Sequence, residues 1–289
     1  MTQPMTEDGR DRAVHATPRR FTTHDGLTLA YDDAGNPDGD PIVFLHGGTD
    51  CRLTWARVTP GVRDTHRLLL LDARGQGESD ADPDGYDLLG AFPGDVIALC
   101  EQVLDRPAML VGASHGAAIA AAVAALRPEL VRGLLLLDPP LFGRIPPWVG
   151  ELLTTVEHML AAVASSDDRQ AAVRSLLAAG PMADVFDEDG LDRLAFAWSR
   201  VDPAFVKVAA AAVAVEEPFG PAKPMSCPML VVRGDPSVQP PCFRAEDEAR
   251  LRQLAPEARF VVAEGLGHMI HPARPAWVAE QLNELLASL

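Results

Sequence analysis

The sequence predicts an α/β fold in which a mostly parallel sheet is flanked by helices and a helical insertion interrupts the pattern late in the chain. Three observations carry that prediction. Short continuous apolar runs alternate with helical patterns, each run ends in a glycine-bearing or turn-rich loop, and the alternation stops for about eighty residues before it resumes. A strand buried on one face only would alternate apolar and polar residues. These runs do not, so helices are expected on both faces of the sheet.

Residues 1–20 mix both charges with polar side chains and are expected to form a flexible tail, without the apolar centre of a signal peptide. Residues 21–31, FTTHDGLTLAY, and the following DDAGNPDGDP read as a first hairpin with Asp25-Gly26 as its turn. Ile42-Val43-Phe44-Leu45 is a buried strand that runs into His46-Gly47-Gly48-Thr49, and LLLLD at 68–72 is another that opens into Asp72-Ala73-Arg74-Gly75-Gln76-Gly77-Glu78-Ser79. Residues 88–104 carry Val96, Leu99, Cys100 and Val103 at helical spacing.

Ala108 to Val111 is the next strand, and the alanine-rich Ala117 to Leu126 the next helix; between them Gly112-Ala113-Ser114-His115-Gly116 matches G-x-S-x-G. Strand, sharp turn and helix are the setting that motif requires, with Ser114 strained at the apex and glycines leaving room beside it. Val131 to Leu137 is a further strand, ending at Asp138-Pro139-Pro140. From 141 to 224 the strand signal disappears, and helical spacing takes over through Leu152, Leu153, Val156, Met159, Leu160 and Val163, then Leu191, Leu194, Ala195, Trp198 and Val201. The rhythm returns with Pro228 to Val232, a helix around Glu246 to Leu254, the strand Arg259 to Ala263, the loop Gly265-Leu266-Gly267-His268 and a closing helix from Pro275 to Leu286. The sheet core is therefore assigned to 21–140 and 225–289, and the helical cap to 141–224.

Composition narrows the function. Lys+Arg total 25 against Asp+Glu 41, a net charge of −16 that repels nucleic acid and anionic membranes, so neither is expected as a partner. The four cysteines have neither zinc-site nor disulfide-framework spacing, no apolar run reaches membrane-spanning length, and a cytoplasmic location is expected. Excess arginine over lysine and abundant alanine fit a GC-rich bacterial source. No Walker spacing, dinucleotide fingerprint or metal-ligand spacing occurs, so no cofactor or metal is expected. The chain carries no oligomer signal; a homodimer stands as the open alternative to a monomer.

A serine hydroxyl needs a base within hydrogen-bond reach and an acid to hold that base. His268 follows a late strand in a glycine-flanked loop, where the chain can return to the sheet edge above Ser114, and is taken as the base. His271 is its competitor, and His46 is expected to fix its own loop.

HGG at 46–48, D-x-R-G-x-G-x-S at 72–79, G-x-S-x-G at 112–116, the helical insertion and G-x-G-H at 265–268 resemble the α/β-hydrolase family, in its order, over residues 21 to 288. The resemblance implies an eight-stranded, mostly parallel sheet with a cap over the site, and an oxyanion hole from the amides of Gly48 and His115. It also implies that the 72–79 loop is structural, Asp72 and Arg74 holding neighbouring loops. The acid departs from the commonest family pattern, since Gly234-Asp235-Pro236-Ser237 puts serine where many members carry aspartate. Asp138, at the end of the sixth strand, is the preferred acid and Asp235 the alternative. That late position resembles zearalenone-type lactone hydrolases.

The cap's apolar side chains, with few charges among them, favour a hydrophobic ester or lactone, including a macrolactone, and Trp198 and Met159 are taken as substrate contacts. The resulting expectation is a carboxylic ester or lactone hydrolase that works through an acyl-enzyme. Carbon-carbon bond hydrolysis or perhydrolysis by the same serine stays open, as does a non-enzymatic small-molecule receptor.

Overall fold

The computed structural model of the chain describes residues 16–142, 145–215 and 223–289. Eight strands form one sheet: β1 (Thr17–Thr22), β2 (Thr28–Gly35), β3 (Asp40–Leu45), β4 (His66–Leu71), β5 (Ala108–Ala113), β6 (Val131–Leu137), β7 (Met229–Gly234) and β8 (Arg259–Ala263). Their spatial order is β1-β2-β4-β3-β5-β6-β7-β8. β1 and β2 pair antiparallel, as do β2 and β4, and every later pairing is parallel. The eight-stranded, mostly parallel sheet expected from the sequence is present.

The continuous apolar runs follow from burial on both faces. Along β3, Val43 and Leu45 point to the face shared by Leu69, Leu110 and Leu134, while Ile42 and Phe44 point to the face shared by Leu68, Val111 and Leu135. The first face is covered by α1 (Ala91–Val103) and α2 (His115–Leu126), the second chiefly by a late helix at 275–286 with Trp55 beside it.

The tail boundary needs correcting. β1 starts at Thr17, and Thr17 to Arg20 pair with Asp33 to Ala30, so the core begins before residue 21. These four side chains are exposed on an edge strand, held by main-chain hydrogen bonds that leave no apolar signature in the sequence. The hairpin does turn at Asp25-Gly26, where Gly26 has φ 92°.

Between β6 and β7 lie α3 (Pro147–Ala162), α4 (Arg169–Ala178), α5 (Glu188–Arg200) and α6 (Pro203–Ala212). The apolar spacing marked only α3 and α5, because α4 buries just Val173 and Leu177, and α6 just Phe205 and Val206. The starts of α4, α5 and α6 are nonetheless encoded: Asp168, Asp187 and Asp202 each accept a backbone N–H of the first turn. Asp202 also accepts from the Tyr86 hydroxyl at 2.6 Å and donates its own amide to Gly75, tying the insertion to the loop after β4. The chain closes with α7 (Ala245–Leu254), the single turn α8 (Ile270–Ala273) and α9 (Pro275–Leu286). No helix among the described residues is long and apolar enough to cross a membrane.

The loop after β4 is a scaffold of buried charges. Arg74, 1% exposed, donates to both oxygens of Asp95 and to Asp82 and Asp25. Arg52 pairs with Asp72, Asp32 and Glu78, and Asp72 accepts the amides of Arg52 and Glu78. Both guanidinium groups thus lie against carboxylates from β2, from α1 and from the loops around residues 25 and 72–82, so these residues hold separate segments together.

Candidate active site

The candidate residues sit at the carboxyl ends of the parallel strands. β3 has β4 on one side and β5 on the other, so connections leaving these strands part in opposite directions and open a crevice there. His46 to Thr49 follow β3, Ser114 follows β5, Asp138 follows β6 and His268 lies in the loop after β8.

Ser114 has φ 50° and ψ −117°, a conformation costing an L-residue about 1–3 kcal/mol. Its amide donates to Leu137 of β6 at 2.8 Å, and its carbonyl accepts from Ala117 and Ala118 in the first turn of α2, so both sides hold the strain in place. The flanking glycines are required by close approach: a Cβ on Gly116 would lie 2.3 Å from the Leu45 carbonyl oxygen, and one on Gly112 would lie 2.5 Å from the Ala117 backbone.

The loop after β3 packs against this turn, a Cβ at Gly47 being 3.5 Å from that of Ser114. His46 fixes the loop as expected. Its Nε2 accepts the Ala73 amide at 3.0 Å, and its Nδ1 donates to the Gly47 carbonyl at 2.7 Å. Thr49 takes φ 62°, a second strained position beside the crevice. The first amides of a helix have no intrahelical acceptor, so the His115 N–H next to Ser114 is unclaimed within α2, and Gly48 lines the same cavity. The His115 side chain takes another direction: it is buried against Phe92 and Phe205, and burial lowers its pKa to about 3, so it stays neutral.

His268 Nδ1 lies 2.6 Å from Asp138 Oδ2. Asp138 is fully buried at φ 45°, its amide bonded to Val232, and its carboxylate accepts three more donors: Cys242 N–H on Oδ2 at 2.9 Å, and Phe243 and Gly234 N–H on Oδ1 at 3.1 and 3.3 Å. Four donors thus converge on this carboxylate, and the three backbone amides fix its orientation toward His268. Asp235 does not reach His268. It accepts the amide and hydroxyl of Ser237 and the amide of Gly265, organising the turn after β7 and the start of the histidine loop. Burial works against the His268 imidazolium, but the Cys242 sulfur and the Asp138 carboxylate outweigh it, and the pKa is raised. His271 is occupied elsewhere. It contacts the Thr54 hydroxyl at 2.8 Å and stacks on Trp55, with its pKa lowered to about 3 by burial and by nearby His268.

Ser114, Gly48, His115 and His268 face one cavity of about 510 Å³, roofed by Trp148, Val149 and Leu152 of α3, Leu194 and Trp198 of α5, and Phe205 and Ala209 of α6. Trp198 lines it; Met159 does not, because it lies two turns beyond Leu152 on the same face of α3, past the end of the cavity, and packs half-buried against the hydrophobic interior. Three neighbours of the base escaped sequence reasoning. Gln239 accepts the His268 amide through its side-chain oxygen, Cys242 brings a thiol beside the pair, and Trp148 of α3 reaches across the crevice. The Trp148 ring lies 4.9 Å from the imidazole, and its Nε1–H donates to the Pro240 carbonyl at 2.8 Å. No local pattern signals such contacts, since they join residues 26 to 120 positions apart.

Trp148 thus links the cap to the loop that holds the base. Trp148→Ala is expected to lower kcat/KM by about three- to tenfold, the weight of one hydrogen bond of about 0.5–1.5 kcal/mol, and Trp148→Phe, which keeps a ring beside the imidazole but loses the same hydrogen bond, is expected to fall by a similar factor. Equal kinetics for the wild type and the alanine variant would remove Trp148 from any role in positioning.

A model of the alpha/beta hydrolase family matches residues 42–281. The AB hydrolase superfamily protein YfhM of Bacillus subtilis is 33% identical over 124 residues, 42% of this chain and 43% of that protein, so the chain spans less than half of that relative's length. The 2-(acetamidomethylene)succinate hydrolase of Mesorhizobium japonicum is 26% identical over 257 residues, covering 86% of this chain and 88% of that one. Among solved structures, the enol-lactonase of Burkholderia xenovorans LB400 superposes with a TM-score of 0.70 at 21% identity, over 93% of this chain and all of that one.

Proposed function

This chain belongs to the alpha/beta hydrolase family, and we propose that it is a serine hydrolase that cleaves an uncharged, hydrophobic carboxylic ester or lactone. The observation that carries the reading is that His268, paired to the buried Asp138, faces the same cavity as the strained Ser114. Ser114 Oγ attacks the carbonyl carbon while His268 takes its proton, and the Gly48 and His115 amides receive the developing oxyanion. The tetrahedral species collapses as His268 passes that proton to the departing alkoxide. Water, deprotonated by His268, then attacks the acyl-enzyme and frees the acid.

The cavity lining supports the substrate class. It is mostly apolar, and among the described residues it holds the carboxylates Asp50 and Glu151 but no Lys or Arg. A second carboxylate brought in by the substrate would meet repulsion without a compensating cation, which separates this site from one made for a succinate.

The test is a panel of p-nitrophenyl esters of rising chain length with an aromatic macrolactone and a dicarboxylate monoester, together with a fluorophosphonate label read by mass spectrometry. Neutral medium-chain esters or the lactone are expected to turn over, the monoester to be refused, and the label to sit on Ser114. Absence of both label and turnover overturns the reading. Because the base must be neutral, activity rises with pH through the His268 pKa. That pKa is raised, so the acid limb of kcat/KM is expected above the ordinary histidine value of about 6.5.

A further inference from the structure

We propose that Asp138, Cys242 and His268 form a binding site for a thiophilic divalent cation such as Zn2+ or Cd2+, and that its occupation switches off the reaction. The inhibition rests on the function proposed above; the binding does not. Cys242 Sγ, an Asp138 oxygen and an imidazole nitrogen of His268 all lie within 4.8 Å of one another, and among the described residues no other group of three such side chains converges in this way. The proposed mechanism uses the Cys242 amide, which any residue would supply, and leaves its thiol without a task.

The chemistry of the three donors fits the ion. Zinc bonds sulfur at about 2.3 Å, and nitrogen and oxygen at about 2.0–2.2 Å, so tetrahedral ligand atoms stand roughly 3.5 Å apart, between the 2.6 Å of the Asp138–His268 contact and the 4.8 Å within which all three donors fall. His268 Nδ1 and Asp138 Oδ2 already share a proton at 2.6 Å, and the cation would take the place of that proton. Binding releases the thiol proton to solvent, while the proton between imidazole and carboxylate moves to Nε2 of the neutral ring, a second proton leaving only where the ring starts as imidazolium. A dication with one thiolate, one carboxylate and a neutral imidazole is electrically neutral overall, the condition under which charge can be buried. Asp138 is fully buried and Cys242 is 3% exposed, yet Cys242 and His268 both line the cavity, which gives the ion an entry path and an open fourth position. Backbone amides of Gly234, Phe243 and Cys242 orient the carboxylate as an outer shell. With Nδ1 on the metal, His268 loses its acid partner and its ring becomes a weaker base.

The full chain carrying Ser114→Ala, so that catalysis plays no part, is titrated with CdCl2 and followed by calorimetry and by the ultraviolet thiolate-to-cadmium absorption. One Cd2+ per chain is expected, with the absorption lost in the Cys242→Ser and Cys242→Ala backgrounds, both checked for folding by circular dichroism. In the active protein, Zn2+ is expected to inhibit ester hydrolysis, chelator to restore it, and whatever activity either Cys242 variant retains to resist at least tenfold more Zn2+. No thiolate band, or a band that survives loss of Cys242, overturns the site. A band with unaltered sensitivity in the variants overturns the switch. If the wild type hydrolyses none of the esters, the function fails while the band still decides the binding.

Discussion

Asp138→Asn is expected to lower kcat by about 10³- to 10⁴-fold, while Asp235→Asn stays within roughly tenfold of wild type. Both aspartates follow neighbouring strands and both precede a proline, so local sequence hardly separates them. Their surroundings do. Asp138 Oδ2 is on His268 Nδ1, and an amide in its place has no charge to stabilise the imidazolium that forms when Ser114 is deprotonated. The amide would also turn an N–H toward one of the three backbone donors, so circular dichroism must first show an intact fold. Asparagine at 235 keeps an oxygen for Ser237 or Gly265 and disturbs only a turn. Stopped assays on a turned-over ester, with burst titration of Ser114, give kcat per active site. A crippled Asp235→Asn beside a healthy Asp138→Asn would move the acid to the strand-seven position and sink the assignment.

Arg74→Met is expected to destabilise the protein by about 3–5 kcal/mol near pH 8, the cost of leaving a buried carboxylate without its partner. Asp95 is 2% exposed, and burial already raises its pKa to about 6, with Arg74 holding it from going higher. The sign follows from linkage. A carboxyl whose folded pKa lies above its unfolded value binds its proton more tightly in the native state, so its contribution is most favourable at low pH and is lost as pH rises through the folded pKa. Without Arg74 that pKa moves further up, so the variant should regain part of its deficit as pH falls from 8 to 5. Urea midpoints at the two values measure this, and Arg74→Met with Asp95→Asn should recover much of the loss at pH 8. A variant within 1 kcal/mol of wild type at pH 8 would show that the pairing of Arg74 with Asp95 contributes little net stability.

How much could be read in advance depended on the kind of signal. Periodicity located every strand from β3 to β8 because each carries a continuous apolar run, buried on both faces in all but the half-buried edge strand β8. It missed the first half of β1, where an exposed edge is held by main-chain bonds, and it missed α4 and α6, which bury only two residues each. The Asp caps of those helices were present in the sequence, but an aspartate before a weak helix looks like any loop aspartate until a helix is known to follow.

By itself the sequence determined the fold class, the strand-turn-helix around Ser114 and the loop candidates that would have to meet it, since these depend on local backbone preference and on burial patterns a few residues long. Only the tertiary structure brought Asp138, and not Asp235, against His268, turned His271 to Thr54 and Trp55, set Met159 away from the cavity and put Cys242 and Trp148 beside His268. The physical reason is range. A side-chain contact within 3 to 5 Å depends on the twist of the sheet and the direction of each exit loop, and those are properties of the whole packed chain that no stretch of ten residues contains.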